Sequence, residues 1–577
     1  MERASSGPFL RSLSESVPPL ILQSDLSMVL ETAHPRFEEM RDFLLPFAEL
    51  VKSPEYLHTY RITPISVWNA AATGLSVRNV LSTLRKEARY GVPQNFETEL
   101  KTWFGRCGMF RMELDENRLR LTCSKPRVFR GLLHDPALAG LLEDVDGKEG
   151  ISFCPHGNRG LVKERLIHLG YPVEDHAGYR DGTPLEIHLR GQTIEGNPFS
   201  LRPYQVQAVE SFYKGGTALG GSGVVSLPCG AGKTVVGMAV MEAVAAHTLI
   251  LAPNTVALRQ WRRELLDKTH LTEKEIGEYS GENKEIRPVT LTTYQMLTYR
   301  KSKEEEFLHF GLFEQSDWGL IIYDEVHLLP APVFRATADI QARRRLGLTA
   351  TLVREDGKED EVFSLIGPKR YDAPWKDLER KGYIASVACL EVRVPFSEEE
   401  RMDYLSMPRR QQFRFATENL EKNAVLSELL EKHRGERTLI IGQYIRQLEQ
   451  LKSELSAPLI TGKTPNDERE ELYQAFRDGE EKVLILSKVG NFAIDLPDAQ
   501  VAIQVSGTFG SRQEEAQRLG RILRPKSDGG TAHFYSLVTE ATVDQEYGEK
   551  RQRFLTEQGY SYDILTPETL HEGGGCL

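Results

Sequence analysis

Apolar residues recur at helical spacing through most of residues 20 to 130, in ILQSDLSMVLE, FEEMRDFLLPFAELV and VRNVLSTLRKEA, with polar residues on the remaining faces. The pattern predicts a mainly helical amino-terminal domain over 20–130. Within it, ISVWNAAATGLSVRNVLSTL predicts a helix, a turn at Gly74 and a second helix opened by Ser76. The alternating segment FRMELDENRLRLTC predicts a small hairpin. From residue 224 the rhythm changes. Short buried-strand runs (VVSL, TLILAP, VTLTTY, LIIYDE, LGLTA) alternate with helical stretches, and the alternation restarts with TLIIGQY, APLITG, KVLILS, VAIQV and AHFYSL. Strand and helix in alternation predict parallel sheets covered by helices, so two α/β domains are expected in tandem.

Helix, turn, helix and hairpin in that order resemble a winged helix, an arrangement that binds DNA in some proteins and docks protein in others. The second helix carries Arg78, Arg85 and Lys86 without a basic run, which leaves both contacts open. Residues 131–197 are punctuated by glycine and proline around EIHLRG and predict a small α+β module leading into a linker. GGTALGGSG at 215–223 reads as a flexible loop before the first strand of the α/β part. The expected domains are a flexible leader (1–19), the amino-terminal domain (20–130), the small module (131–197), two α/β domains (198–375 and 376–550) and a tail (551–577). Polar helices around 396–430 interrupt the second.

With 577 residues, of which 40 % are hydrophobic, 27 % charged and 8 % aromatic, the chain is long enough for several buried cores and unlike a disordered or collagenous protein. Lysine and arginine number 72 against 83 acidic residues, a net charge of −11, so any contact with nucleic acid has to be local. Six cysteines without a CxxC pair fit a reducing compartment, and Cys154 with His156 reads as a pair of ordinary loop residues. The segment MERASSGPFLRSLSESVPPL lacks the apolar run of a secretory signal, no window approaches the roughly 18 apolar residues of a membrane helix, and Cys576-Leu577 makes no prenylation box. A cytoplasmic protein with no membrane association is expected.

The candidate chemistry begins at VVSLPCGAGKTVVGMAV, which sets Gly230, Ala231, Gly232, Lys233 and Thr234 between a predicted strand and a predicted helix. Glycines there allow a loop whose N–H groups cradle phosphates, Lys233 reaches the β and γ phosphates, and the Thr234 hydroxyl ligates Mg²⁺. The first glycine of the strict phosphate-loop pattern is replaced by Leu227. About ninety residues on, LIIYDEVH ends a buried strand with two acids. Asp324 is placed to hold Mg²⁺ through water, and Glu325 to orient and deprotonate an attacking water. ATP and Mg²⁺ are therefore expected. In GSRQEEAQRLGRILRPK, Arg521 and Arg524 lie about one helical turn apart and fit an arginine finger for the transferring phosphoryl group, with Gln517 in the same string.

Phosphate loop, DEVH, LTAT at 348–351 and QRLGRILR together resemble a superfamily 2 helicase. DEVHLLPAPVFR, LGLTATLVRED, IGPKRYDAPW and SRQEEAQRLGRILRPK narrow the resemblance to the XPB family, close over 200–545 and weaker over 20–197, where HTYRITPISVWNAAATG is similar to the amino-terminal domain of microbial members. The resemblance implies two RecA-like parallel-sheet domains. It also places Arg202 and Gln205 of LRPYQ near adenine, and Thr255, Thr292 and Thr293 on phosphates of a tracked DNA strand. Thr349 and Thr351 would couple hydrolysis to the DNA groove. Arg354, Glu355 and Asp356 match a tripeptide implicated in duplex separation, and Asp495 falls in a nucleotide-contacting motif where Ala493 replaces the usual glycine. The segment 396–430 corresponds to a thumb-like insertion, in which Arg409, Arg410, Phe413, Arg414 and Phe415 would supply charge and stacking for a strand; an exposed helical face over buried aromatics is the equal alternative.

The resulting expectation is an ATP-dependent DNA helicase with 3′ to 5′ polarity, acting at single strands and duplex junctions in nucleotide excision repair, with a nuclease or another repair protein as partner. The 150–197 segment matches the place of a damage-recognition-like domain in archaeal members. Two rivals use the same motifs. One is a duplex translocase or remodeller without processive unwinding; the other is a partner-docking ATPase switch. An RNA substrate is disfavoured by the family-specific strings.

Overall fold

The computed structural model describes residues 17–52, 57–116, 118–217, 220–228, 230–300, 308–313, 315–329, 343–350, 362, 365–373, 375–487, 499–507, 530–557 and 560–572. Two compact units are present: Met1–Ser226 with Gly232–Asp372, and Leu227–Ala231 with Ala373–Leu577. In the first unit, β1 (Leu20–Leu22), β2 (Ser27–Glu31), β3 (Glu49–Lys52) and β4 (Leu57–Arg61) form an antiparallel sheet in the order β1-β2-β4-β3. This sheet differs from the mainly helical domain that the spacing predicted. Leu20, Leu22, Met28 and Leu30 are all buried, a period of two on each strand that a wider window misreads as helical. The helix–turn–helix is present as Pro64–Ala72 and Val77–Glu87. Gly74 takes φ +95° in the turn, and the Ser76 hydroxyl caps the second helix by accepting from Asn79 N–H.

The hairpin is β5 (Phe110–Asp115) and β6 (Arg118–Cys123), but it does not stand as a wing. It joins β7 (Glu143–Asp146), β8 (Ile151–Cys154) and β9 (Val173–Asp175) in a five-stranded sheet of order β7-β8-β6-β5-β9. Two separate cores result, one gathering Leu20 to Leu100 and the other Met109 to Ala177. The hairpin therefore belongs to the second module. Cys154 lies inside that second core, where burial pushes its thiol up to about 12 and leaves it an inert hydrophobe.

A buried ionic cluster fastens this module to the α/β part. Asp175 accepts from Arg159 at 2.7 and 2.9 Å and from Lys163 at 3.0 Å. The guanidinium groups of Arg159 and Arg345 lie 5.3 and 5.7 Å from the centre of the Tyr179 ring. The following stretch, expected to be a linker, is instead tied down along its length. Thr183 N–H donates to Asp317 O, Leu185 N–H to Ala245 O and Arg190 N–H to Lys268 O, each at 2.8 to 3.0 Å. Gly182 sits so close to Gly319 that a Cβ would lie 2.3 Å from its nitrogen.

The remainder of the first unit is a seven-stranded sheet of β10 (Ser222–Ser226), β11 (Thr248–Ala252), β12 (Ile276–Tyr279), β13 (Val289–Thr293), β14 (Leu320–Asp324), β15 (Arg344–Thr349) and β16 (Lys369–Asp372). Its order is β12-β13-β11-β14-β15-β10-β16, and every pair is parallel. The second unit repeats the plan with β17 (Val387–Val394), β18 (Thr438–Gly442), β19 (Leu459–Ile460), β20 (Val483–Ser487), β21 (Val501–Gln504), β22 (Ala532–Thr539) and β23 (Tyr562–Leu565), ordered β19-β20-β18-β21-β22-β17-β23 and again all parallel. Two RecA-like domains in tandem are thus realised. Strands buried on both faces explain the continuous apolar runs. IGEY, KRYD and YDIL, which lack such runs, went unanticipated as strands. Three helices, Glu398–Ser406, Arg409–Thr417 and Glu421–Lys432, follow β17 in the place of the expected insertion.

Candidate functional site

Ligands of parallel α/β sheets bind beyond the carboxyl ends of the strands. Strand register sets Ser226 of β10 opposite Thr349 of β15, and Leu348 opposite Asp324 of β14, so three strands end together at one edge. From β10 the chain enters the glycine loop. Gly230 and Gly232 both take φ +79°, and Gly232 opens the helix Lys233–Val244. A Cβ on Gly232 would come within 2.6 Å of Gln205 Nε2, so glycine is required twice over, by backbone and by space. Gln205 is itself buried, and its Oε1 accepts from Arg202 N–H at 2.9 Å, while Arg202 Nη1 donates to the Tyr204 hydroxyl at 3.2 Å. The LRPYQ segment thus abuts the glycine loop.

Lys233 Nζ makes an ion pair of 2.8 Å with Glu325 Oε1. Glu325 follows the last residue of β14 and holds φ +47°, a left-handed conformation that a glutamate adopts at a cost. Its second oxygen, Oε2, is buried without a hydrogen-bond partner among the described residues. Burial pushes the Glu325 carboxyl up, but Lys233 and then His327 outweigh it and hold the group below its ordinary value. Asp324 goes the other way: burial and the neighbouring Glu325 raise it to about 6. Trp261 Nε1–H donates to its Oδ2 at 3.0 Å, and the Tyr294 hydroxyl donates to its backbone carbonyl at 2.7 Å. The two acids are thereby set apart, one kept charged beside a lysine and one oriented by an indole.

Sequence reasoning passed over two of these groups. Trp261 stands at the end of LAPNTVALRQW, and His327 is the last residue of DEVH; the buried Nδ1 of His327 lies 2.8 Å from Thr349 Oγ1 and 3.5 Å from Glu325 Oε2. Strand-end acids and the LTAT segment are therefore connected through an imidazole. Only its place in the motif string could have signalled it.

The expected DNA-contacting residues divide. Thr255 is exposed on the first turn of Thr255–Lys268, which Asn254 caps with bonds to Val256 and Ala257 N–H. Thr292 is fully buried and donates its hydroxyl to Tyr279 O at 2.7 Å, so it has no surface for a phosphate. Thr293 caps the short helix Tyr294–Leu297 and is nearly buried. The stacking role expected of Phe413 is corrected as well: its ring is only 3 % exposed and meets Tyr547 edge-on at 5.0 Å. Phe415 packs on Phe396. Arg409 and Arg410 remain exposed, whereas Arg414 pairs with Glu418 at 2.9 Å and lies over the Tyr444 ring. This is the buried-aromatic alternative with all three arginines on the surface, Arg414 paired with Glu418 and Arg409 3.9 Å from Glu546. Thr351, Arg354, Glu355, Asp356, Asp495, Gln517, Arg521 and Arg524 lie outside the described residues.

Comparison with known proteins decides the family. Residues 378–573 match the ERCC3/RAD25/XPB C-terminal helicase family, residues 198–354 match the type III restriction enzyme res subunit, and residues 20–144 match a helicase conserved C-terminal domain. The chain is 52 % identical over 96 % of its length, and 98 % of the other protein's, to the DNA 3′-5′ helicase XPB of Kineococcus radiotolerans. It belongs to the XPB helicase family. Identity to the DNA 3′-5′ helicase XPB of Mycobacterium tuberculosis is likewise 52 %, over 96 % of this chain and 98 % of that one. The general transcription and DNA repair factor IIH helicase/translocase subunit XPB of Encephalitozoon cuniculi is 33 % identical over 97 % of this chain and 84 % of its own. As an XPB-family member the chain is an ATP-dependent helicase.

Proposed function

We propose that this chain is a 3′ to 5′ DNA helicase of the XPB type, that Lys233 and Glu325 form its hydrolytic pair, and that it works in DNA repair. The observation that carries the reading is the 2.8 Å bond between Lys233 and Glu325 at the carboxyl edge of a parallel sheet, with Glu325 Oε2 buried beside it, 3.5 Å from His327 Nδ1 and without a hydrogen bond among the described residues. Before nucleotide arrives, the lysine charge is satisfied within the protein. A γ-phosphate that draws Lys233 away leaves Glu325 free to accept a proton from an attacking water, with His327 communicating the change to Thr349.

The residues also fit Mg²⁺. Asp324 offers a buried carboxylate fixed by Trp261 and Glu325 N–H, and Thr234 offers a hydroxyl on the first turn of the adjoining helix, both hard oxygen donors. When bound, the ion neutralises charge on the transferring phosphoryl group. Arg521 and Arg524 are assigned the finger role, Gln517 and Asp495 nucleotide contacts, and Arg354, Glu355 and Asp356 the separation of strands. Arg409, Arg410 and Thr255 are the assigned DNA contacts. No helix among the described residues is long and apolar enough to cross a membrane. A nuclease or another repair protein is the partner proposed.

ATP turnover with and without DNA tests the hydrolytic pair. Glu325→Gln is expected to abolish turnover while nucleotide still binds, and wild-type turnover in that variant would remove the assignment. Arg524→Ala should lower turnover with ATP affinity kept; loss of affinity alone would argue against a finger.

A further inference from the structure

At the amino-terminal edge of its own sheet, the second unit carries a cluster that the helicase chemistry does not use. His433 follows the helix Glu421–Lys432, Glu436 lies in the turn before β18, and His533 is the second residue of β22. In a parallel sheet that position is the amino-terminal edge, opposite the end where β22 finishes at Thr539. One ligand atom from each residue can be chosen so that all three lie within 4.8 Å of one another. The imidazole rings of His433 and His533 are 4.9 Å apart, centre to centre, and His433 Nδ1 lies 3.4 Å from Glu436 Oε1.

These distances are those of a nearly assembled coordination shell. Zn²⁺ bonds to imidazole nitrogen and carboxylate oxygen run to about 2.1 Å, which makes the edge of a tetrahedral site about 3.4 Å. His433 Nδ1 and Glu436 Oε1 already stand at that spacing. The remaining approach is a small movement of His533, which is half-buried, or of Glu436, whose side chain is 39 % exposed. His433 Nε2 is 2.9 Å from the Tyr535 hydroxyl. Without metal, Nδ1–H donates to Glu436 Oε1 and Nε2 accepts from the Tyr535 hydroxyl; an ion that takes Nδ1 leaves the ring proton on Nε2, which then donates to Tyr535 Oη, the outer hydrogen bond that fixes a ligating tautomer.

We infer that His433, Glu436 and His533 form a binding site for a borderline divalent transition metal of the Zn²⁺ type, completed by water, that clips the end of the 421–432 helix to the start of β22. Two nitrogens and one oxygen select such an ion over Mg²⁺. The ion is structural in this position, since it joins the end of a helix to the amino-terminal end of a strand of the same unit. Its binding adds stability to the second unit in proportion to its concentration over its dissociation constant.

The test uses the full chain, freed of metal by chelator and without nucleotide, titrated with Co²⁺ as a spectroscopic stand-in and with Zn²⁺ in competition. The expected result is one equivalent of Co²⁺ with the visible absorption of a tetrahedral nitrogen and oxygen site, without sulfur charge-transfer bands, and displaced by Zn²⁺. His533→Gln and Glu436→Gln should each lose that equivalent while unfolding in chelator at the wild-type temperature. Absence of the absorption in the wild-type chain, sulfur charge-transfer bands in it, or its survival in both variants would overturn the site. If a variant fails to fold, the wild-type spectrum decides alone.

Discussion

At the residue scale the decisive contact is between Lys233 and Glu325, and the two ends of that bond predict different losses. Lys233→Ala removes the cation that pairs with Glu325 and is assigned to the phosphates, so ATP affinity and turnover should fall together, read by nucleotide binding and steady-state hydrolysis. Glu325→Gln removes the base and releases Lys233, so turnover should vanish while ATP affinity is kept or rises. Equal loss of affinity in both variants would contradict the division of labour. Much of this was legible in the sequence because the chemistry is local: the GAGKT and DEVH strings each lie on one turn. Trp261 and His327 were not, because a donor to Asp324 and a bridge to Thr349 are defined by strands that meet only in the fold. Thr292 and Phe413 were misjudged for the opposite reason. A threonine beside a strand end and a phenylalanine in an arginine cluster have the composition of a DNA contact, and only burial shows that their polar and aromatic surfaces are already taken.

At the element scale, the amino-terminal sheet and the 409–417 helix make separate predictions. His58 lies on β4, buried against Phe37, and burial followed by the charge of Arg41 lowers its pKa to about 4. The folded state therefore keeps it neutral, while the unfolded chain protonates it near pH 6.5. Stability from this group is complete above about pH 6.5 and is lost as pH falls toward 4, a loss of up to about 3 kcal/mol. Denaturant titrations of the full chain and of His58→Leu between pH 7 and 4 should converge at the acid end; parallel curves would contradict the burial. On the helix, Phe413→Ala should cost about 3 to 5 kcal/mol of stability in the second unit. Arg409→Ala with Arg410→Ala should leave stability nearly unchanged and weaken DNA binding with a smaller salt dependence. The reverse pattern, seen in thermal unfolding and salt-dependent binding, would restore the stacking role to Phe413. The strands of this region escaped the sequence pattern because strands of three to five residues give too few alternations to compete with a helical reading, whereas the Ser76-capped helix announced both its start and its turn.

For the whole molecule, the small module and the first RecA-like domain act as one body within the first unit. Asp175 neutralises Arg159 and Lys163 in the interior, and Tyr179 is sandwiched among arginines from both sides. Asp175→Ala removes the carboxylate that pairs with both Arg159 and Lys163 in the interior, and should destabilise the first unit by about 3 to 5 kcal/mol. Asp181→Ala breaks an ion pair with Arg344 in which the acid is 91 % exposed, and should change stability by less than about 1 kcal/mol. Denaturant unfolding separates the two; similar small effects would mean the module is held by its strap alone. The sequence showed this region as a punctuated linker because its bonds run from its backbone, and from Asp181 and Arg190, to groups distant in the chain, and leave no periodic pattern in its side chains. Most central strands of the tandem sheets, by contrast, were legible, since they are buried on both faces, whereas the edge strands IGEY, KRYD and YDIL and the strand VACLEVRV were not.

The central claim is a motor that opens DNA in one direction by using ATP at Lys233 and Glu325. Strand displacement on matched duplexes carrying either a 3′ or a 5′ single-stranded tail, with ATP and Mg²⁺ and with Lys233→Ala as control, tests it most directly. Displacement of the 3′-tailed duplex alone, absent in the variant, is the predicted result. Displacement of the 5′-tailed duplex, or equal displacement by Lys233→Ala, would contradict it.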